Sequence, residues 1–300
     1  MFKPAYLALY QSGELQRRID QLTAILARCT LCPRQCQVNR LQGELGICRA
    51  GRDLTIASFF PHFGEEAPLV GHYGSGTIFL THCNLRCSFC QNYDISHLGA
   101  GEEMSTRQLA QVMIYLQKQG CHNINFVTPT HYAPQIMAAL PLAIELGLEV
   151  PLVYNCGGYE ALTVIQLLDG IIDIYMPDIK FSSTKFADEY AHAANYFEIA
   201  RRVLREMQRQ VGVLQMDARG LAYRGLLIRH LVMPNDVSGT AEILRFIADE
   251  ISLDSYVNIM AQYHPCFQAQ DDPLINRRIT SQEYHQAIAI AKKYGLHRGF

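Results

Sequence analysis

The sequence is short of charge of one sign, of long apolar runs and of a glycine-rich phosphate turn. Its 26 Lys and Arg against 28 Asp and Glu leave a formal net charge of -2. No block of five or six like charges occurs, so nothing draws the chain electrostatically to nucleic acid or anionic lipid. No uncharged stretch approaches the roughly 18 residues that a membrane span needs. The opening MFKPAYLALYQSGELQRRID has no cationic start followed by an apolar core and a small-residue cleavage site. The expectation is a soluble, cytoplasmic protein with neither nucleic acid nor membrane as partner. Repeats and low-complexity segments are absent as well. Cysteine, in contrast, is plentiful, with ten in the chain. Without a secretion signal, clustered thiols read as metal ligands or redox groups rather than disulfides.

Seven of the ten cysteines fall in two groups: Cys29, Cys32, Cys36 and Cys48, then Cys83, Cys87 and Cys90. Cys121, Cys156 and Cys266 are scattered and read as ordinary small buried residues.

The 300 residues suit one large α/β domain with a small appendage. In GELQRRIDQLTAILAR, Leu15, Ile19, Leu22 and Leu26 recur at helical spacing and predict an amphipathic helix over 13–28. After Cys48 a short apolar run, LTIASFF, leads into PHFGEEAPLVGHYGSG, whose Pro and Gly content argues for a loop. From Thr77 the pattern is regular. TIFLTH, NINFV, VPLVYN, IIDIYM, GLLIRHLVM and YVNIMAQY are six runs with strand character. Helical segments lie between them: one carries Ser105 as N-cap and Gly120 as stop, another Ser238 or Thr240 as cap, and TSQEYHQAIAIAKKYG closes the chain. Alternating strand and helix implies parallel strands with right-handed crossovers. We therefore expect an α/β fold, a partial (β/α)6 TIM-like barrel over residues 71–300, preceded by a helix and cysteine-rich region over residues 1–70. The doubly wound alternative needs G-x-G-x-x-G after the first strand. Here GHYGSG precedes that strand and cysteines follow it.

Active sites of parallel α/β sheets lie at the C-terminal strand ends, and Cys83 to Cys90 sit just past the first one. A tetrahedral zinc site completed by His82 or His97 is one reading. The other is an iron–sulfur cube on which three thiolates leave one iron without a protein ligand.

The C-x-x-x-C-x-x-C spacing, with Phe89 before the third cysteine, resembles the signature of the radical S-adenosylmethionine superfamily. The resemblance implies a [4Fe-4S] cluster on Cys83, Cys87 and Cys90. Its open iron chelates S-adenosylmethionine, and reductive cleavage yields a 5′-deoxyadenosyl radical that abstracts hydrogen. Within that superfamily the chain is similar to the activating enzymes of pyruvate formate-lyase and their uncharacterised relatives. CSFCQNYD resembles their cluster loop, with Asn92 and Asp94 in matching places. YNCGGY resembles their Asp-Thr-Asn-Gly turn, with Asn155 where the Asp stands. YMPDIK resembles their Asp-x-Lys segment and puts Asp178 and Lys180 near the cofactor, with Met176 nearby. LLIRHLVMPN places Arg229, and QYHPC places His264, in the site. VTPTHY stands where the superfamily usually carries Gly-Gly-Glu, so Thr128 and Thr130 are expected to accept the hydrogen bonds from the cofactor's amino group. The resemblance implies a low-potential donor, flavodoxin or ferredoxin, and a protein glycine, another peptide or a small molecule as substrate. The competing class is a non-catalytic zinc or iron–sulfur module with a structural or sensing role.

Three features stand beside this resemblance. Cys29, Cys32, Cys36 and Cys48 fit a structural zinc, a second iron–sulfur cluster or a set of reduced thiols, with Gly43 and Gly46 turning the chain back to bring Cys48 in. Glu65 and Glu66 are paired carboxylates, read here as part of a solvated loop rather than as an acid–base or cation-binding pair. Arg229, inside an apolar strand, must find an anionic partner.

Overall fold

The computed structural model of the chain describes residues 2–300. Among these residues nine strands form: β1 Leu54–His62, β2 Ser75–Leu80, β3 Glu102–Met104, β4 Ile124–Val127, β5 Leu152–Cys156, β6 Ile174–Pro177, β7 Gln215–Met216, β8 Ala222–Leu231 and β9 Tyr256–Met260. They build one sheet in the order β3-β1-β2-β4-β5-β6-β8-β7, with β9 pairing β8. The run β2, β4, β5, β6, β8, β9 is parallel throughout, so the six expected strands form the partial (β/α)6 barrel. It is not closed. The outer edge of β2 is taken by antiparallel β1, which in turn carries β3.

Helices Thr106–Lys118, Ala133–Glu145, Leu162–Leu167, Thr184–Ala191, Tyr196–Val211 and Thr240–Phe246 fill the crossovers, and Ser281–Lys293 closes the chain. Their apolar faces pack on the outside of the sheet in one continuous core that runs from Tyr6 to Leu296. The expected cap at Ser105 forms, and Thr280 caps the closing helix in the same way. Ser105 and Thr280 both form capping boxes, with Gln108 and Glu283 respectively. Helix Thr240–Phe246 does not follow its expected signal: its N-cap is Gly239, and the Thr240 N–H donates to Asp236 Oδ1 at 2.9 Å. Ser238 and Thr240 are buried instead, with Thr240 Oγ1 3.0 Å from His230 Nε2.

The N-terminal helix is broken at Gly13 into Tyr6–Gln11 and Glu14–Ala24, and it ends in a 3-10 turn Ile25–Arg28. Leu15, Ile19, Leu22 and Leu26 are buried as their spacing implied. The segment read as an apolar run and loop is largely structured: β1 extends through Pro61 and His62, and Ala67–Val70 is a helical turn. β1 lies in the sheet, and the core is shared on both sides of it.

Side chains alternate across strands, and the lumen side of β5, β6 and β8 carries Val153, Met176 and Leu227. With Leu69, Ile174, Leu214 and Ala222 they form a second apolar cluster that plugs the barrel floor. Met176, expected near the cofactor, is fully buried in this plug. No helix of the described residues is long and apolar enough to cross a membrane.

Candidate active site at the barrel mouth

Above the plug the lumen opens into a cavity of about 440 Å³ at the C-terminal strand ends, and Cys83, Cys87 and Cys90 all border it. The loop that carries them leaves β2 through left-handed backbone at His82 (φ 66) and Arg86 (φ 53). Leu85 N–H donates to Cys83 Sγ at 3.4 Å, and Cys90 Sγ shares a 3.2 Å hydrogen bond with Ser96 Oγ. Burial raises the Cys83 and Cys87 thiols, only partly offset by backbone N–H groups at Cys83 and by Lys180 at Cys87. Thiols held in this way become ligands when a cation replaces the proton. Neither His82 nor His97 borders the cavity, and His97 Nδ1 is 2.9 Å from Ser96 Oγ, so the histidine-completed zinc reading finds no support in the geometry. Phe89 lies at the cavity edge within an aromatic group, its ring 5.9 Å from Phe181 and 6.3 Å from Tyr263.

Across the cavity, strand ends supply an ionic network. Arg229 Nε donates to Asp178 Oδ1 at 2.7 Å and its Nη2 donates to Asn155 Oδ1 at 2.8 Å, while Lys180 Nζ lies 2.5 Å from Asp178 Oδ2. Burial would raise the Asp178 carboxyl, but Arg229 and Lys180 outweigh it and hold it below the usual range. Burial would likewise lower Lys180, yet Asp178 and then Cys87 keep its pKa raised. The turn after β5 permits this approach because Gly158 has φ 74 and a Cβ there would stand 2.4 Å from the Asp178 carbonyl oxygen.

Other expectations divide. Asn92 and Thr128 border the cavity, whereas Asp94 does not. Thr128 has φ 59 and anchors its N–H on the Asn155 carbonyl at 2.8 Å. Thr130 is not available to a ligand, because it is buried and its hydroxyl donates to Glu160 Oε1 at 2.8 Å. His264 falls outside the cavity lining and shares a 3.1 Å hydrogen bond with Gln91, while Gln262 and Tyr263 before it line the wall. Of the scattered cysteines, Cys121 is an ordinary buried residue. Cys156 borders the cavity, and Cys266 is half-buried, its thiol raised first by burial and then by the Cys90 thiol.

The expectation for Glu65 and Glu66 is overturned. Their side chains are only 7% and 6% exposed, and both line the cavity. Glu66 Oε1 accepts from Asn258 Nδ2 of β9 at 3.1 Å, so the loop before β2 bridges to the far end of the open barrel. Paired acidic residues beside Pro and Gly look the same in sequence whether the loop is solvated or folded over a lumen.

Cys29, Cys32, Cys36 and Cys48 surround a second, small space, together with Arg40 and His131. Ile47 N–H donates to Cys36 Sγ at 3.4 Å, and backbone N–H groups of Arg34 and Ala50 reach Cys32 and Cys48. Gly46 is required here, since a Cβ would stand 2.9 Å from Cys36 Sγ. Among the described residues no three His, Cys, Asp or Glu side chains are gathered tightly enough to hold a single ion, so the thiols share a space rather than a finished coordination shell. Arg40 is 1% exposed, and its guanidinium donates only to the carbonyls of Gly51 and His131.

Arg34, between Cys32 and Cys36, joins the two thiol groups. Its Nε donates to the Asn84 carbonyl at 3.0 Å and its Nη2 to the Leu85 and Ala191 carbonyls at 3.4 and 2.7 Å. Asn84 and Leu85 lie between Cys83 and Cys87, so Arg34 holds the backbone of that loop.

Residues 77–216 match the Radical SAM superfamily. An uncharacterized protein of Methanocaldococcus jannaschii is 32% identical over 292 residues, covering 94% of this chain and 79% of the relative. A second uncharacterized protein of the same organism is 23% identical over 271 residues, covering 82% of this chain and 73% of its own. A radical SAM methyltransferase of solved structure from Sphaerobacter thermophilus shares the fold with TM-score 0.51 at 12% identity, over 75% of this chain and 65% of that one. The chain belongs to the radical SAM superfamily. Membership implies a [4Fe-4S] cluster and S-adenosylmethionine, and three closely spaced cysteines bordering one cavity fit that pair.

Proposed function

We propose that this protein is a radical S-adenosylmethionine enzyme of the type that activates pyruvate formate-lyase, an oxidoreductase acting on a protein glycine or on another peptide or small molecule. The carrying observation is that Cys83, Cys87 and Cys90 share one cavity with the Asn155, Asp178, Lys180 and Arg229 network. When bound, the cluster and cofactor supply one-electron cleavage of the sulfonium to a 5′-deoxyadenosyl radical. The chain's own groups do the rest. Cys83, Cys87 and Cys90 hold the cluster, and Lys180 and Arg229 offer cations to a cofactor carboxylate. Asn92 and the polar groups of Thr128 border the remaining space, and the apolar plug keeps water from reaching it from below. Asn155 stands where the activases carry an Asp, and its Oδ1 is already occupied by Arg229. Flavodoxin or ferredoxin in an anaerobic cytoplasm would deliver the electron.

The N-terminal thiols are assigned a metal as part of this reading. Arg40 is a buried cation with only neutral acceptors, and an anionic metal–thiolate group on Cys29, Cys32, Cys36 and Cys48 would balance it. Zinc and a second iron–sulfur cluster both carry that charge when bound by four thiolates.

The test is anaerobic reconstitution with iron and sulfide, reduction, addition of S-adenosylmethionine and assay for 5′-deoxyadenosine. Its formation is expected. A fully loaded, reduced protein that forms none would instead favour the non-catalytic module. Metal analysis of the same preparation separates zinc from iron at the N-terminal site.

A further inference from the structure

The cavity carries an ionic imbalance that the proposed cofactor residues do not use. Arg229 spends its short hydrogen bonds on Asp178 and Asn155, at 2.7 and 2.8 Å. Its remaining nitrogen, Nη1, lies 3.6 Å from Glu66 Oε1 and 3.8 Å from Glu65 Oε2, beyond a good hydrogen bond to either. Lys180 is taken by Asp178 at 2.5 Å. Three carboxyl groups, Asp178, Glu65 and Glu66, thus face two cations, Lys180 and Arg229, and the glutamates are the two without a close cationic partner.

Two further observations show unmet polar capacity. Glu66 Oε2 is buried with no hydrogen-bond partner, although its Oε1 accepts from Asn258. Independently, Asn125 of β4 is 0% exposed, with neither its Oδ1 nor its Nδ2 partnered. Val127, two residues along the same strand, lines the cavity. Side chains alternate, so Asn125 points into the same lumen one step deeper. Buried polar groups left unpaired are costly, so an incoming partner for them is favoured. An incoming donor that is also a cation would satisfy Glu66 Oε2 and give both glutamates a close cationic partner in one contact.

We propose that Glu65 and Glu66 form a substrate subsite for an organic cation, a protonated amine or a guanidinium group. This rests on the radical-enzyme reading above and adds to it the substrate class: the substrate enters the cavity with its cationic group on the glutamates and its reacting part toward the cysteine loop. The glutamates come from the loop before β2 and the cysteines from the loop after it, so both border one cavity from elements joined through a single strand.

The experiment uses anaerobically reconstituted protein and four probes of similar size: butylammonium, butylguanidinium, butanol and butyrate. Binding is measured by calorimetry for wild type and Glu66→Gln, whose amide oxygen keeps the Asn258 contact while its charge is gone. At least one cation is expected to bind wild type, with butanol and butyrate binding weakly or not at all. Glu66→Gln should weaken the cation by about tenfold or more. Should that variant fail to fold, Glu65→Gln carries the same expectation. Equal binding of butanol or butyrate, or cation affinity unchanged by the substitution, overturns the proposal. Formation of 5′-deoxyadenosine by a preparation that binds neither cation overturns the subsite alone and leaves the enzyme reading standing. Cation binding without 5′-deoxyadenosine upholds the subsite and removes the radical reaction.

Discussion

The two thiol groups use the same atoms to different ends. Cys29, Cys32, Cys36 and Cys48 enclose a small space at the edge of the core, with Arg40 as the buried cation beside it. Cys83, Cys87 and Cys90 face an open cavity whose other walls carry Asp178, Lys180, Arg229, Glu65 and Glu66. Four thiols around a closed space suit a saturated, structural metal group. Three thiols on an open space suit one that must admit a further ligand. The charged side chains on the opposite wall make the three-thiol group the candidate for chemistry, because buried ionisable networks are costly to maintain for packing alone.

Substituting one cysteine in each group tests this contrast most strongly. Cys87→Ser should abolish formation of 5′-deoxyadenosine and lower iron content, with little change in melting temperature. Cys32→Ser should act mainly on stability, lowering the melting temperature and releasing the metal proposed for the N-terminal thiols. Equal loss of activity at unchanged stability in both variants would break the distinction.

Next in size is Arg229→Met, which leaves Glu65, Glu66 and part of Asp178 without a cation. Breaking a buried ion pair costs about 3–5 kcal/mol, read as a fall in urea midpoint. Arg34→Ala addresses the link between the two groups. Loss of its hydrogen bonds to Asn84, Leu85 and Ala191 should cost about 2 kcal/mol and make the cluster on Cys83 and Cys87 more easily lost to a chelator. Unchanged chelation kinetics would mean that the thiol groups are independent.

The smallest effect is a pH dependence. Burial first raises the Glu65 carboxyl to about 7; Arg229 opposes that shift and Glu66 adds to it. A carboxyl raised from 4.5 in this way favours the folded state at low pH, and its contribution is lost as pH rises from about 4.5 through about 7. Glu65→Gln should therefore gain stability relative to wild type between pH 5 and pH 8. Thermal melts at the two pH values give the sign, and a difference that shrinks with pH would contradict the buried, charge-crowded position of Glu65.

Legibility in the sequence followed the range of the interaction. Ser105 with Gln108 and Thr280 with Glu283 act within one helical turn, so their boxes could be read directly. The cap at Gly239 could not, because His230 from another element takes Thr240. Asp178, Lys180 and Arg229 lie at strand ends, where parallel topology gathers side chains, and they meet in one ionic network. His264 carries the same kind of motif signal, yet the chain after β9 turns it out to Gln91. Glu65 and Glu66 show the opposite error, for a Pro- and Gly-flanked acidic pair carries no mark of the sheet's open edge. Asn258, which donates to Glu66, lies far along the chain in β9.

By itself the sequence determined the six parallel strands, the two cysteine groups and the loop position of the three-thiol set, since periodicity and spacing are local quantities. The tertiary structure alone decided that the barrel stays open beside β2, that a glutamate loop spans the opening and that Arg34 ties one thiol group to the other. These depend on where distant strand ends meet, and the fold there brings an otherwise ordinary pair of carboxyl groups into the wall of the site.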